Sequence, residues 1–173
     1  MSTTTRAPKN IDPAASLHAE TLGQAKSHGR LAGRRIIVVG AGQRQIIDEE
    51  PPVGNGRAMS VLFAREGAAV ACIDVNKKAA DSTVAQITSE GGRAFADIVD
   101  VSDVSAIAPG VERCARRLGG LDGLALNVGI SSGLSLPKMT AEAWTGITPS
   151  MCAATCCLRR RRWRKCRRGA RSS

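Results

Sequence analysis

Short apolar segments alternate with segments of helical periodicity over residues 34–129 of the 173-residue chain. The apolar runs fall at 34–40, 68–74, 94–101 and 121–129, and the helical segments fall between them at 56–67, 76–92 and 102–120. Continuous runs rich in β-branched residues predict strands that are buried on both faces. The order β-α-β-α-β-α-β with right-handed crossovers therefore predicts an α/β fold with a doubly wound parallel sheet.

Glycine, serine and proline positions indicate where the predicted helices begin and end. Gly67 and Gly91 follow the first and second helices, where a glycine commonly terminates a helix. Ser102 is a candidate N-cap for the third helix. Pro109 lies inside that third segment, and we expect it either to kink the helix or to mark its true beginning.

A glycine-rich turn follows the first predicted strand, but ten residues interrupt it. Gly40 and Gly42 come first, then the segment 44–53 (RQIIDEEPPV), and then Gly54 and Gly56 at the start of the first helix. Without this segment the sequence reads VVGAGQGNGRA, which is typical of a dinucleotide-binding turn. Because the acidic run DEE would repel a pyrophosphate, we expect the segment to extend away from the turn. It is then an insertion between two halves of a working site.

This turn and the end of the second strand supply candidate cofactor-binding residues. Backbone N–H groups at the start of the first helix, near 55–58, would face the pyrophosphate. Asp74, at the end of the second strand, would accept hydrogen bonds from the adenosine ribose and would repel a 2′-phosphate. Val75 offers no cation, so NAD is favoured over NADP. The alternative is that Asp74 only caps the helix that begins near Lys77. The candidates in the turn are Gly40, Gly42, Gln43, Gly54, Asn55 and Gly56.

Several motifs in order resemble the N-terminal half of the short-chain dehydrogenase/reductase family. The matching stretches are GRLAGRRIIVVGAGQ…GNGRA, FAREGAAVACIDVN, GGRAFADIVDVSD and GGLDGLALNVGI, which together cover about residues 29–144. The resemblance implies a Rossmann-like sheet, truncated here after the fourth strand. It also implies that Asp100 and Val101 lie beside the adenine, that Asn127 steadies the central sheet, and that Gly129 passes the cofactor ribose.

The catalytic half of that family has no counterpart in this chain. Such enzymes interconvert alcohols and carbonyls with a Tyr-x-x-x-Lys pair, and the chain contains no tyrosine. We therefore predict an NAD(P)-dependent oxidoreductase by family that is inactive as given, with no catalytic residue and no metal ligand. A small alcohol or carbonyl substrate is expected only for a full-length relative. The family is usually homo-oligomeric, but the interface is expected to be missing here.

The C-terminal segment differs in composition from the rest of the chain. Residues 151–173 hold nine of the 25 Lys and Arg and none of the 15 Asp and Glu, so the net charge of +10 comes mainly from this tail. We hypothesise that a reading-frame shift after Trp144 produced it, because with suitable codons the restored frame reads as a helix of the family. Two alternatives stay open, a non-catalytic dinucleotide-binding protein and a nucleic-acid-binding protein that uses the tail and Trp163.

The expected organisation has three parts. Residues 1–30 are predicted to be a disordered leader, residues 31–144 a partial NAD(P)-binding domain, and residues 145–173 a disordered Arg/Cys-rich tail. The absence of an apolar run of 18 residues or more and of a secretory signal predicts a cytoplasmic protein without membrane contacts. Nucleic acid is not an expected partner of the domain. The exposed edge of the last strand predicts a poorly soluble or molten chain, with order confined to about residues 30–130.

Overall fold

The computed structural model describes residues 25–43, 53–129, 138 and 140–142. They form seven elements in the predicted order and at nearly the predicted places. The elements are β1 (Arg35–Val39), α1 (Asn55–Arg65), β2 (Ala69–Asp74), α2 (Lys77–Ser89), β3 (Arg93–Ile98), α3 (Val104–Arg117) and β4 (Gly123–Leu126).

The described strands form one four-stranded parallel sheet in the order β3-β2-β1-β4. β1 is central, since Val38 pairs with Cys72 of β2 on one side and with Ala125 of β4 on the other. The chain moves outward from β1 to β3 and then crosses back to β4. This parallel pairing confirms the predicted α/β, Rossmann-like sheet, in which β1 and β2 are buried and β3 and β4 are partly buried. The point where the strand order reverses lies between β1 and β4.

Side chains that alternate along β1 and β2 build a separate core on each face of the sheet. Ile37 and Ile73 point to the face covered by α3, where they pack with residues such as Val111. Val38 and Val70 point to the opposite face, which α1 and α2 cover. All five side chains are almost fully buried. Helices on both faces confirm that the sheet is doubly wound.

The predicted start of α3 is wrong. Asp103, not Ser102, is the N-cap, and its carboxylate accepts a hydrogen bond from the backbone N–H of Ser105 at 2.9 Å. Ser102 lies one residue earlier, in the turn after β3, where its hydroxyl donates to Asp100 at 2.7 Å. The carboxylate cap is also favoured by the partial positive charge at a helix N-terminus. α3 begins at Val104 and continues through Pro109, so Pro109 does not mark its beginning.

Two ion pairs support the end of the sheet where the parallel strands begin. The Glu66 carboxylate accepts hydrogen bonds from the backbone and the guanidinium of Arg30, at 2.9 and 3.2 Å. These bonds lower the pKa of Glu66 from 4.5 to about 2. The Asp122 carboxylate accepts three hydrogen bonds from Arg35, the first residue of β1, at 2.8 to 2.9 Å. Connections that precede β1 and β4 are thereby fixed to the sheet.

Several sequence-based expectations lie outside the described residues. They include the predicted leader up to residue 24, the segment 44–52 and the tail from residue 143. Cys72 and Cys114 lie in the described part, and both are buried free thiols. None of the described helices is long and apolar enough to cross a membrane.

Candidate functional site

A cavity of about 480 Å³ lies at the ends of the strands where β1, β2 and β4 terminate. This is the edge at which open α/β sheets bind ligands, next to the point where the strand order reverses. The size falls within the range of about 300–1,000 Å³ that is common for small-molecule sites. Every candidate residue from the sequence lines the cavity: Gly40, Gly42, Gln43, Gly54, Asn55, Gly56, Asp74, Asp100, Val101, Asn127 and Gly129.

Gly40 makes the sharp turn that follows β1. Its φ of +78° lies in the left-handed region, which disfavours any residue with a Cβ. A Cβ built on Gly40 would also overlap the backbone carbonyl of Asn127. The backbone N–H groups of Gly40 and Ala41 both donate to the carbonyl of Ile73, at 2.8 and 3.0 Å, so the turn is tied to the end of β2.

Gly56 lets α1 approach the end of β1 closely. A Cβ at this position would overlap the carbonyl oxygen of Gly40 and lie 3.0 Å from Nδ2 of Asn127. The first turn of α1 therefore rests directly on the glycine turn. No side chain caps this helix, whereas Asn76 caps α2 and Asp103 caps α3. The N–H groups at the start of α1 thus remain available to an anion.

The two halves of the interrupted turn meet in space. A Cβ built on Gly54 would lie 3.7 Å from the Cα atom of Gln43 and 3.7 Å from the carbonyl oxygen of Gly42. Gln43 and Gly54 flank the segment 44–53 in the sequence, so this segment leaves and returns at one place. The glycine turn therefore closes around the cavity across the ten intervening residues.

Asp74 joins the glycine turn to the beginning of α2. Its Oδ2 atom accepts a hydrogen bond from the backbone N–H of Gly42 at 2.8 Å, and its Oδ1 atom accepts one from the N–H of Asn76 at 2.9 Å. Asn76, not Asp74, caps α2, by accepting from the N–H of Ala79. The alternative that Asp74 is the helix cap is therefore wrong. A carboxylate has about four acceptor positions, so Asp74 retains acceptor capacity toward the cavity.

The segment after β3 forms a second wall of the cavity. Asp100 accepts hydrogen bonds from the backbone N–H and the hydroxyl of Ser102, at 2.8 and 2.7 Å. These bonds, the one from the hydroxyl first, lower the pKa of Asp100. Val101 is half-buried beside it and packs against the α3-side core. Asp100 thus shapes a tight turn that presents a short apolar surface to the cavity.

Asn127 connects β4 to the glycine turn. Its backbone N–H donates to the carbonyl of Val39 at 2.8 Å, and its Nδ2 lies 3.4 Å from the carbonyl oxygen of Gly40. These contacts link the end of β4 to the end of β1. Gly129 lines the cavity two residues later, where an added Cβ would meet no atom within 4 Å.

Sequence reasoning missed several lining residues. They are Val39, Val75, Asn76, Ala79, Val99, Ser102 and Val128. The signal for Asn76 was present, because an asparagine directly before a helical segment is a strong N-cap candidate. The apolar members carry no such signal, since a valine or alanine beside a cavity has the same local pattern as one in the core.

The lining fits an anionic, two-ended ligand with one apolar section. Among the described residues that line the cavity there is no lysine or arginine, so these residues would hold an anion through backbone N–H groups at the start of α1. The carboxylate of Asp74 lies in the part of the wall formed by the end of β2, where it suits hydroxyl groups and disfavours a phosphate. Residues that could hold a dinucleotide are therefore present, and no group of three or more potential metal ligands occurs among the described residues.

Comparisons with known proteins agree with this geometry. The family model for short chain dehydrogenase matches residues 52–157, which is more than half of the 173 residues. The match begins within the segment 44–53, so it includes Gly54 and Gly56 but not Gly40 and Gly42, and it ends beyond residue 144, where the motif-based resemblance stopped. The 3-oxoacyl-[acyl-carrier-protein] reductase of Thermotoga maritima is 30% identical over 118 residues, which are 68% of this chain and 44% of that protein.

Two further similarities come from Escherichia coli and Sinorhizobium meliloti. The 7alpha-hydroxysteroid dehydrogenase of E. coli is 35% identical over 103 residues, which cover 58% of this chain and 35% of that enzyme. A crystal structure of a dehydrogenase/reductase from S. meliloti is 30% identical, with a TM-score of 0.64 over 76% of this chain and 50% of that one. The chain thus spans half or less of the length of these relatives.

Proposed function

Because the chain belongs to the short-chain dehydrogenase family, whose members are oxidoreductases that bind NAD(P), we propose that its cavity binds a nicotinamide dinucleotide and prefers NAD to NADP. The proposed chemistry of the full-length protein is hydride transfer between an alcohol and a carbonyl compound. The 173-residue chain supplies the cofactor-binding half of that activity and no proton donor of the Tyr-x-x-x-Lys type.

One observation carries the proposal. The two halves of the interrupted glycine turn meet beneath the uncapped start of α1, with the Gly40 carbonyl packed against Gly56. A glycine turn that opens a helix after a central strand is the feature by which this class of fold receives a pyrophosphate. Asn55 and Gly56 in the first turn of α1 would hold it through their backbone N–H groups.

The preference for NAD rests on Asp74. Its carboxylate lies in the cavity wall and is fixed by the N–H groups of Gly42 and Asn76. Ribose hydroxyls can donate to its remaining acceptor positions, whereas a 2′-phosphate would be repelled. Val75, the next residue, is 64% exposed and offers no positive charge in its place.

The other lining residues fit the remaining parts of the cofactor. Val101 would contact the adenine, and Gly129 leaves room for the ribose that carries the nicotinamide. When bound, the nicotinamide supplies or accepts the hydride. The chain's own residues bind and orient the cofactor, and Asn127 holds the end of β4 against the glycine turn. The substrates of the named relatives differ from one another, so no single substrate is proposed.

The cofactor preference is tested by titrating the purified chain with NADH and with NADPH, using nicotinamide fluorescence or calorimetry. The parent should bind NADH more tightly than NADPH. Asp74→Asn should reduce this preference about tenfold, because it removes the repelling charge but keeps one acceptor oxygen. Asp81→Asn is the matched control, since Asp81 lies on α2 outside the cavity lining and pairs with Lys77.

The outcomes separate the parts of the proposal. Equal binding of NADH and NADPH by the parent contradicts the role of Asp74. Failure of a folded parent to bind either dinucleotide contradicts the proposed function itself. A non-catalytic dinucleotide-binding protein would share the cavity, and turnover by a full-length relative that shares this half distinguishes the two. The nucleic-acid alternative rests on the tail, which lies outside the described residues.

A further inference from the structure

Thr83 is a buried polar residue on α2 that the proposed cofactor contacts do not use. It is fully buried, and its Oγ1 atom donates to the carbonyl of Ala41 at 3.0 Å, across 42 residues of sequence. The same hydroxyl lies 3.2 Å from the carbonyl of Ala79, one turn earlier in its own helix. A threonine in a helix commonly bonds only to that preceding turn. The additional bond to Ala41 links α2 to the glycine turn.

The Ala41–Gly42 peptide is held at both of its poles by side chains. Its carbonyl oxygen accepts from Thr83, and its N–H donates to the Asp74 carboxylate at 2.8 Å. The two side chains come from different elements, α2 and the end of β2. A peptide unit that is bonded at both poles has one favoured orientation, because rotation by half a turn breaks both bonds.

These bonds close into a ring that includes the beginning of α2. Asp74 also accepts from the N–H of Asn76, the Asn76 side chain accepts from the N–H of Ala79, and the Ala79 carbonyl faces Thr83. A hydroxyl has a single proton, so Thr83 shares it between Ala79 and the nearer oxygen of Ala41. The ring couples the glycine turn, Asp74 and the first turn of α2.

We propose that Thr83 is a positioning residue that fixes the orientation of the Ala41–Gly42 peptide and, through it, that of the Asp74 carboxylate at the cavity. Without the hydroxyl, the Ala41 carbonyl loses this hydrogen-bond partner while it is buried. Turning the peptide so that its oxygen faces the cavity then lowers the free energy, because water there can hydrogen-bond to the oxygen. That oxygen then faces both Asp74 and an anionic ligand, and both contacts are repulsive. Thr83 thus selects the peptide orientation that accepts a dinucleotide.

The inference rests on the proposed cofactor site, but one of its tests is independent of cofactor. Thr83→Val keeps the shape of the side chain and removes the hydroxyl, and Thr83→Ser keeps the hydroxyl. Thr88→Val is the matched control, because Thr88 lies on the same helix and its hydroxyl donates to the Val84 carbonyl at 2.8 Å, far from the cavity. Each variant is examined by residue-resolved amide hydrogen exchange and by NADH titration.

In Thr83→Val, the Gly42 amide should exchange about tenfold faster in the folded protein, since its acceptor is no longer held in place. The amides of Gly40 and Ala41 donate to Ile73 and serve as internal references that should change little. NADH affinity should fall about tenfold, because a smaller fraction of the molecules has the Ala41–Gly42 peptide in the orientation that accepts the dinucleotide. Thr83→Ser and Thr88→Val should stay close to the parent in both measurements.

Unchanged Gly42 exchange in a folded Thr83→Val protein overturns the inference, whatever the cofactor result. A uniform rise in exchange at Gly40, Ala41 and Gly42 also overturns it, because that result indicates general loosening instead of positioning. If the parent binds no dinucleotide, the proposed function fails, while the exchange measurement still decides the role of Thr83.

Discussion

The carbonyl oxygen of Gly40 occupies the space that a side chain at Gly56 would need. This contact brings the first turn of α1 against the end of β1, and Nδ2 of Asn127 lies beside it. Three separate segments of the chain therefore depend on the absence of one Cβ atom. The relationship explains why the second half of the interrupted turn must carry a glycine here, whatever ligand the cavity binds.

Replacing Gly56 should displace α1. Gly56→Ala forces the helix away from a backbone carbonyl that cannot yield, and we expect a loss of about 2 kcal/mol or more in the free energy of unfolding. Gly54→Ala is the matched control, because Gly54 has φ −65° and an added Cβ there has no neighbour closer than 3.7 Å. Urea titration of both variants measures the difference. Equal stabilities of the two variants would contradict the contact.

Acid should weaken the fold through Glu66. Arg30 lowers the pKa of the Glu66 carboxyl to about 2 in the folded state, from 4.5. A carboxyl whose pKa is lowered on folding stabilises the folded state at pH values above its ordinary pKa. That contribution is lost as the pH falls from about 4.5 toward 2. Denaturation curves at pH 7, 4 and 3 should therefore converge for the parent and Glu66→Gln as the pH drops. Glu112→Gln, an exposed change on α3, should show no such convergence.

The segment between the two halves of the glycine turn should be dispensable. Deleting residues 44–53 joins Gln43 to Gly54, which already lie side by side. We expect the deletion variant to fold, to bind NADH like the parent, and to gain up to about 1 kcal/mol because a shorter loop closes at a lower entropic cost. A variant with a ten-residue Gly/Ser segment in the same place controls for length. Loss of NADH binding in both variants would assign the native segment a role in the site.

The 173-residue chain should not turn over a carbonyl substrate. It contains no tyrosine, and a positioned general acid contributes roughly 10²–10⁴ to such rates. NADH oxidation with a panel of ketones should stay at the level of the buffer control in a sample whose NADH binding has been measured. Under the hypothesis of a reading-frame shift after Trp144, turnover should return in a version with the frame restored. Robust activity of the original chain refutes this prediction.

The outer edge of β4 should promote association. Among the described residues β4 pairs only with β1, and Leu126 at its end is 37% exposed. An open apolar strand edge is a template for pairing with another chain. Leu126→Lys should raise the fraction of monomer in sedimentation velocity, whereas Leu62→Lys, an exposed change on α1, should not. A parent that is monomeric and melts cooperatively excludes this behaviour.

Local pattern was enough to predict the fold but not all of the site. Continuous runs such as IIVV and AVACI determine buried strands by themselves, and the glycines after α1 and α2 mark helix ends that the structure confirms. The pattern does not distinguish Ser102 from Asp103 as the cap of α3, because both are good caps. In the structure Asp103 is the cap, and Ser102 belongs to the preceding turn through its bond to Asp100. That bond forms only when the turn after β3 is in place.

Contacts between distant segments were beyond the reach of sequence pattern. Asp74 was expected to face a ribose, but nothing local indicates that it also accepts from Gly42, 32 residues away. Thr83 has the same surroundings in sequence as any helical threonine, and its bond to Ala41 exists only because α2 packs over the glycine turn. Similarly, the return of the chain to Gly54 beside Gln43 is a property of the folded backbone.

The central place of β1 has a consequence for a chain that is cut. Backbone pairing holds this strand on both sides, to β2 and to β4, and its side chains fill both cores. A single proteolytic cut between Gln43 and Val53 removes a covalent link but none of these contacts. The N-terminal fragment, which carries β1, should then stay bound to the C-terminal fragment through noncovalent contacts alone. The two fragments should separate in denaturing electrophoresis and elute together from a native sizing column.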